Sequence, residues 1–304
     1  MLHSHRGRLS FSSFILATVG LGGQTFVCVL SQIVGPAGCG KTQMSLMLAV
    51  IATLPASLGG SGGEVIYLDT ENAFSATRLV EIATSRFPQH FADPERLQAL
   101  SKAVHVSFVQ TTANLLDRLG TLEEDIIQHN IKLVILDSVA SLVRKEFRGN
   151  MAERTDILAR EASLLKYLSA SFNIPVVVTN QVTTRFDVPV GFEKSRHKPQ
   201  DPTPEPAKNF VVAALGNTWS HAVNTRLIVE YVSSHSENPA DVRKIKITKS
   251  PIAPFASFLY KIDATGIDLL GSLGQQAPEE YEDPMEMATI HSRAAASFDK
   301  QQQF

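Results

Sequence analysis

Residues 35–42 read Gly35-Pro36-Ala37-Gly38-Cys39-Gly40-Lys41-Thr42. This stretch fits the pattern G-x-x-x-x-G-K-[ST], in which each fixed position has a physical task. The glycines permit backbone angles that turn several N–H groups into one anion-binding nest. A helix starting near Lys41 adds its positive N-terminal end. Lys41 is then placed to reach the β- and γ-phosphates of a nucleoside triphosphate, and the Thr42 hydroxyl to ligate Mg2+. The flanks agree with this reading. The apolar run Val27–Val34 precedes the loop as a strand, and Met44, Leu46, Met47, Leu48, Val50 and Ile51 follow it at helical spacing.

Beyond the loop, short apolar runs alternate with helical periodicity. Glu64–Asp69, Val104–Val109, Lys132–Asp137 and Pro175–Asn180 read as strands. Ser75–Phe87, Thr112–His129 and Ala152–Phe172 read as helices; Leu115, Leu116, Leu119, Leu122 and Ile126 form one apolar face of the second. The near-continuous apolar runs suit strands buried on both faces. The fold class expected is therefore α/β, a mostly parallel sheet flanked by helices. Gln181–Lys208 has no usable periodicity and holds five prolines, so it is expected to be a functional or disordered loop. Thr225–Val232, Val242–Lys249, Ser257–Asp263 and Ile267–Leu270 follow with connections too short for helices. They predict an antiparallel C-terminal extension. Residues 271–304 are polar and are expected to be a disordered tail.

Composition narrows the function classes. A formal net charge of −2 over 304 residues, 44% of them hydrophobic, excludes a globally basic nucleic-acid coat but not a local basic patch. Two cysteines, Cys28 and Cys39, are too few for a disulfide framework. Cys39 also lies inside the phosphate loop, which favours a reducing compartment, cytosol or nucleus. The runs Phe11–Gly20 and Thr25–Val34 are shorter than the ~18 apolar residues of a membrane span. No membrane association is expected.

Two strands end in carboxylates, Asp69 and Asp137, at the sheet edge where magnesium and water are handled in a phosphate-loop fold. Asp137 after Leu133–Leu136 is the magnesium-side Asp. Because Ser138 follows it rather than Glu, the carboxylate that orients the attacking water must come from elsewhere. Glu71 is the candidate. Gln181, at the end of the strand PVVVTN, is placed to feel the γ-phosphate.

These residues occur in the order and spacing of the RecA-type recombinases. Gly35–Thr42, Tyr67–Glu71, Leu133–Ser138 and Thr179–Gln181 carry that resemblance. Gly216-Asn217, Asn224–Leu227 and Ser250–Pro254 match its eukaryotic branch. Leu79–Pro88, Ser138–Phe147 and Leu215–His221 are similar to the B-type paralogues of the eukaryotic strand-exchange recombinase.

The resemblance implies a RecA-like ATPase domain over residues 34–270, ATP and Mg2+ as cofactors, and a nuclear role in homologous recombination repair of DNA damage. Carried over by position, Lys41, Glu71 and Gln181 would be catalytic. Gly35 to Thr42 with Asp137 would hold the nucleotide, and Thr42 and Asp137 the metal. It implies DNA-facing loops at Arg144–Arg160 and Val182–Lys208, with Arg144, Arg148, Arg185, Lys194, Arg196 and Lys198 as DNA-binding candidates. Phe147 and Phe186 are candidates for base stacking. Lys249 would cap a neighbour's ATP in trans. The implied partners are single-stranded and branched DNA and other recombinase paralogues, notably of the C type, in a hetero-oligomer. The family's N-terminal helical domain does not fit the residues before the loop, so 1–33 is expected to be an atypical segment.

Two functions remain open at this level. One is a weak DNA-dependent ATPase that supports recombinase filament assembly. The other is an ATP-binding scaffold with little turnover, or an inactive truncated isoform. A small-molecule kinase is a remote third, lacking a visible acceptor lid.

Overall fold

The computed structural model describes residues 30–147, 149–185, 210–213, 215–232 and 242–274. The strands are β1 (Leu30–Gly35), β2 (Glu64–Asp69), β3 (Val104–Phe108), β4 (Ile131–Asp137), β5 (Val176–Arg185), β6 (Phe210–Ala213), β7 (Thr225–Tyr231), β8 (Arg243–Lys249), β9 (Ala256–Asp263) and β10 (Gly266–Gly274). The helices are α1 (Lys41–Thr53), α2 (Ala76–Arg86), α3 (Pro94–Ala103), α4 (Thr112–Gln128), α5 (Val139–Glu146), α6 (Met151–Phe172) and α7 (Gly216–Ala222). The sheet runs β10-β9-β8-β7-β1-β5-β4-β2-β3, and β6 pairs with β5 off this path.

The α/β class expected from sequence is what forms. From β3 to β7 the neighbours on this path are parallel, and β7 through β10 are antiparallel. Period-2 alternation builds two cores from the same strands. Val65, Tyr67, Leu133, Ile135 and Val177 face one core with α1, α2 and α3. Ile66, Leu68, Val134, Leu136, Val176 and Val178 face the other with α4, α5 and α6. Burial on both sides is why these strands are apolar throughout.

Several elements differ from the sequence reading. Thr225–Tyr231 is antiparallel to β8 but parallel to β1, so it joins the central sheet to the extension. The strand read as Pro175–Asn180 runs on to Arg185, because Val182–Arg185 pairs with Phe210–Ala213 across the proline-rich stretch. Polar residues there hide a strand that only its long-range partner creates. Three helices were not anticipated: α3, α5 and α7. Helix α3 has clear local signals, since Asp93 accepts a hydrogen bond from the Glu95 N–H and Pro94 opens the first turn. Part of Arg144–Arg160 is helical as well: α5 ends at Glu146 and α6 begins at Met151. The expected disordered tail is overturned at its start, because residues 271–274 belong to β10; residues 1–29, most of the loop after Arg185, and 275–304 lie outside the described residues.

One buried group sets a pH dependence. Glu161 on α6 is fully buried, and neither carboxylate oxygen has a hydrogen-bond partner among the described residues. Burial, reinforced by Glu146, pushes its carboxyl from 4.5 up to about 8. The folded state therefore holds this proton more tightly than the unfolded state. Its contribution to stability is complete below pH 4.5 and is lost as the pH rises to about 8. Glu161→Gln is expected to flatten that decline, raising stability at the alkaline end by on the order of a few kcal/mol. Urea unfolding of both proteins across the window checks this.

Candidate nucleotide site

The phosphate loop joins the end of β1 to the start of α1. Gly38 and Gly40 sit at φ +77° and +90°, and Gly40 is the N-cap of α1. Those left-handed angles are open to glycine at little cost. Gly35 is required for another reason: a Cβ there would run into the carbonyl oxygen of Val229 on β7. The antiparallel extension supports the loop from beneath. The Tyr231 hydroxyl donates to the Ala37 carbonyl at 3.1 Å, and the Tyr260 hydroxyl to the Cys39 carbonyl at 2.6 Å. Cys39 is buried, which raises its thiol pKa.

Lys41 donates from Nζ to the carbonyls of Gly35 at 2.8 Å and Pro36 at 2.9 Å. Burial lowers its pKa, against the opposing pull of Asp137 and Glu71. Thr42 Oγ1 donates to Asp137 Oδ2 at 2.7 Å. Two further hydroxyls converge on the same carboxylate. Tyr67 donates to Oδ2 at 2.8 Å and Thr179 to Oδ1 at 2.5 Å. The Tyr67 hydroxyl is kept protonated by burial and by the Asp137 charge, which push its pKa well up. Asp137 is thus a fixed anion behind Thr42. That geometry suits a hard cation that keeps part of its water shell. The left-handed loop, the α1 N-terminus, Lys41 and the Thr42–Asp137 pair together fit a magnesium-bound triphosphate.

Asp69 has a different task from the one its position suggests. Its oxygens accept the backbone N–H groups of Glu71 at 3.0 Å, Ala73 at 3.2 Å and Phe74 at 2.8 Å. It organises the turn that presents Glu71. The turn is also tied to β4. The Thr70 N–H donates to the Asp137 carbonyl, and Thr70 Oγ1 accepts from the Ser138 N–H at 2.8 Å.

Glu71 is held by two side chains. Ser138 Oγ donates to Oε1 at 2.5 Å, and Gln181 Nε2 lies 3.1 and 3.3 Å from the two oxygens. Gln181 in turn accepts from Arg144. One guanidinium nitrogen is 3.1 Å from its side-chain oxygen, and a second is 2.9 Å from its backbone carbonyl. Register explains the meeting: Gly35 pairs with Gln181, and Asp69 with Asp137.

Several expected residues sit elsewhere. Arg144, expected on a DNA-facing surface, has its guanidinium turned onto Gln181 at the end of α5. Lys249 donates to the carbonyls of Ser220 at 3.1 Å and Val223 at 2.6 Å, closing the C-terminal end of α7 within its own chain. A trans role needs those two bonds released. Arg185 lies in β5, in the stretch paired with β6. Arg148, Lys194, Arg196, Lys198 and Phe186 lie outside the described residues. Sequence spacing did not reveal Ser138, Tyr67 or Thr179 as partners of the two carboxylates, because each acts through contacts between separate strands.

Residues 8–269 match the Rad51 family. The chain is 50% identical over 248 residues to DNA repair protein RAD51 homolog 2 of Homo sapiens, covering 79% of this chain and 63% of that protein. It is 50% identical over 250 residues to the Mus musculus protein of the same name, covering 80% and 70%. The Arabidopsis thaliana RAD51 homolog 2 is 34% identical over 268 residues, covering 87% and 69%. The chain thus spans about two thirds of the length of these relatives.

Proposed function

This chain belongs to the Rad51 family, and from that premise we propose that it is an ATP-dependent, single-stranded-DNA-binding paralogue acting in nuclear recombination repair. It works in a hetero-oligomer with other recombinase paralogues, where it supports filament assembly. Among the described residues no helix is long and apolar enough to cross a membrane. The observation that carries the reading is the position of Gln181. It touches Glu71 on one side and Arg144, at the entrance to the expected DNA-facing segment, on the other.

The backbone amides of the loop, the start of α1 and Lys41 hold the triphosphate. Thr42, backed by Asp137, holds Mg2+, whose charge offsets that of the phosphates. Glu71 orients the attacking water and receives its proton at a carboxylate oxygen. Ser138 and Gln181 fix the direction of that carboxylate. A change in contacts at the Gln181 amide moves β5 and Arg144 together, so DNA occupancy and turnover report on each other. Arg148, Arg185, Lys194, Arg196 and Lys198 supply phosphate contacts to the strand.

The test is ATP turnover of the full chain with and without single-stranded DNA. Stimulation by DNA supports the proposal. Turnover that DNA leaves unchanged, together with ATP-dependent partner capture, supports the scaffold reading instead.

A further inference from the structure

At the end of the sheet opposite the phosphate loop, three side chains meet that the nucleotide chemistry does not use. Glu64 opens β2, His105 is the second residue of β3, and His129 is the C-cap of α4. One ligand atom from each lies within 4.8 Å of the others. His105 Nε2 is 2.5 Å from Glu64 Oε2, and His129 Nδ1 is 3.4 Å from the same oxygen. The two imidazole centroids are 4.7 Å apart. We propose that Glu64, His105 and His129 form a binding site for a transition-metal cation of the Zn2+ class, with water completing the coordination.

The ligand set selects the cation. Two imidazole nitrogens and one carboxylate oxygen suit Zn2+ or Co2+, whereas Mg2+ and Ca2+ prefer all-oxygen shells. Three protein ligands and one open position is a recognised zinc arrangement. Tetrahedral bonds of about 2.0–2.2 Å place ligand atoms roughly 3.3 Å apart. The His129–Glu64 separation already has that value. The His105–Glu64 contact opens to it by roughly 0.8 Å, within reach of a carboxylate rotation.

The framework is rigid. The Glu64 N–H donates to the Asn130 carbonyl at 2.8 Å, and the Asn130 side chain donates to the Gly62 carbonyl at 3.0 Å. The Ile131 N–H donates to the His129 carbonyl at 2.8 Å. His105 is held in register beside Ile66 of β2. All three side chains are partly exposed, so an ion can enter from solvent. The six-residue length of β2 puts the cluster roughly 17 Å from Asp69, well clear of the phosphate site. A metal here ties β3, the last strand on its side of the sheet, to β2 and to the end of α4.

The test uses the full chain with Mg2+ and ATP in excess, so that the phosphate site does not compete. Co2+ is titrated while its visible absorption is followed, and Zn2+ is then added. The expected result is uptake of Co2+ with four-coordinate bands, displaced by Zn2+. Glu64→Gln, His105→Asn and His129→Asn should each weaken that uptake at least ~10-fold. The chain has nine histidines, so these variants, rather than uptake alone, identify the site. Zn2+ should also raise the thermal midpoint of the wild type and not of the variants, whose metal-free midpoints report intact folding. No uptake by the wild type, six-coordinate bands alone, or undiminished uptake in the three variants overturns the proposal.

Discussion

Replacing Glu71 by Gln is expected to lower ATP turnover by roughly 10²- to 10⁴-fold, the range for a lost general base, while ATP affinity changes only a few-fold. The geometry separates the two effects. The proposed triphosphate site is built from the loop, Lys41, Thr42 and Asp137, and the described hydrogen bonds to the Glu71 carboxylate come from the neighbouring Ser138 and Gln181. The substitution keeps the size of the side chain and one oxygen that accepts from Ser138. What it removes is the capacity to take a proton from water. Single-turnover and steady-state hydrolysis, with ATP affinity measured in parallel, check the split. Loss of binding together with turnover would mean that Glu71 holds the turn in place. Unchanged turnover, with and without DNA, would remove it from the chemistry altogether.

Lys41→Ala is expected to act on binding itself. Its ammonium is partly buried, and burial lowers its pKa more than the charges of Asp137 and Glu71 raise it. It is held against the phosphate loop by the Gly35 and Pro36 carbonyls. Removing a partly desolvated cation that faces phosphate costs about 3–4 kcal/mol, so ATP affinity should fall ~10²- to 10³-fold. Fluorescent-nucleotide binding measures this directly. The same variant separates two functions for the bound nucleotide. If ATP holds the inter-subunit contact, Lys41→Ala releases the partner paralogue from a co-purified assembly. If assembly persists, the nucleotide is there for turnover. The two variants are complementary, since Glu71→Gln should keep the assembly that Lys41→Ala loosens.

Lys41 and Glu71 also differ in how locally their surroundings are encoded. A phosphate is gripped by consecutive backbone N–H groups and by the start of the next helix, so Gly35–Thr42 carries its chemistry within eight residues. Strands buried on both faces announce themselves as unbroken apolar runs, which is why β2, β4 and β5 were visible. Glu71 and Gln181 were found as types at strand ends, without their partners. Helices α5 and α7 are short, eight and seven residues, too brief for periodicity to stand out. The segment Val182–Arg185 has no apolar run and becomes a strand only by pairing with Phe210–Ala213.

By itself, then, the sequence determined the α/β class and singled out the loop Gly35–Thr42 with Glu71, Asp137 and Gln181 as candidates around it. Only the tertiary structure decided what those groups touch. It turned Asp69 inward as a turn organiser, gave Asp137 three hydroxyl partners, and set Ser138 against Glu71. It directed Arg144 onto Gln181 and brought His105 and His129, twenty-four positions apart, onto one glutamate. The physical reason is common to all of these. Local propensity specifies each strand and each helix, but which strands lie side by side, and in what register, follows from closing long chain loops around two cores. That pairing places Gln181 beside Gly35 and Asp69 beside Asp137.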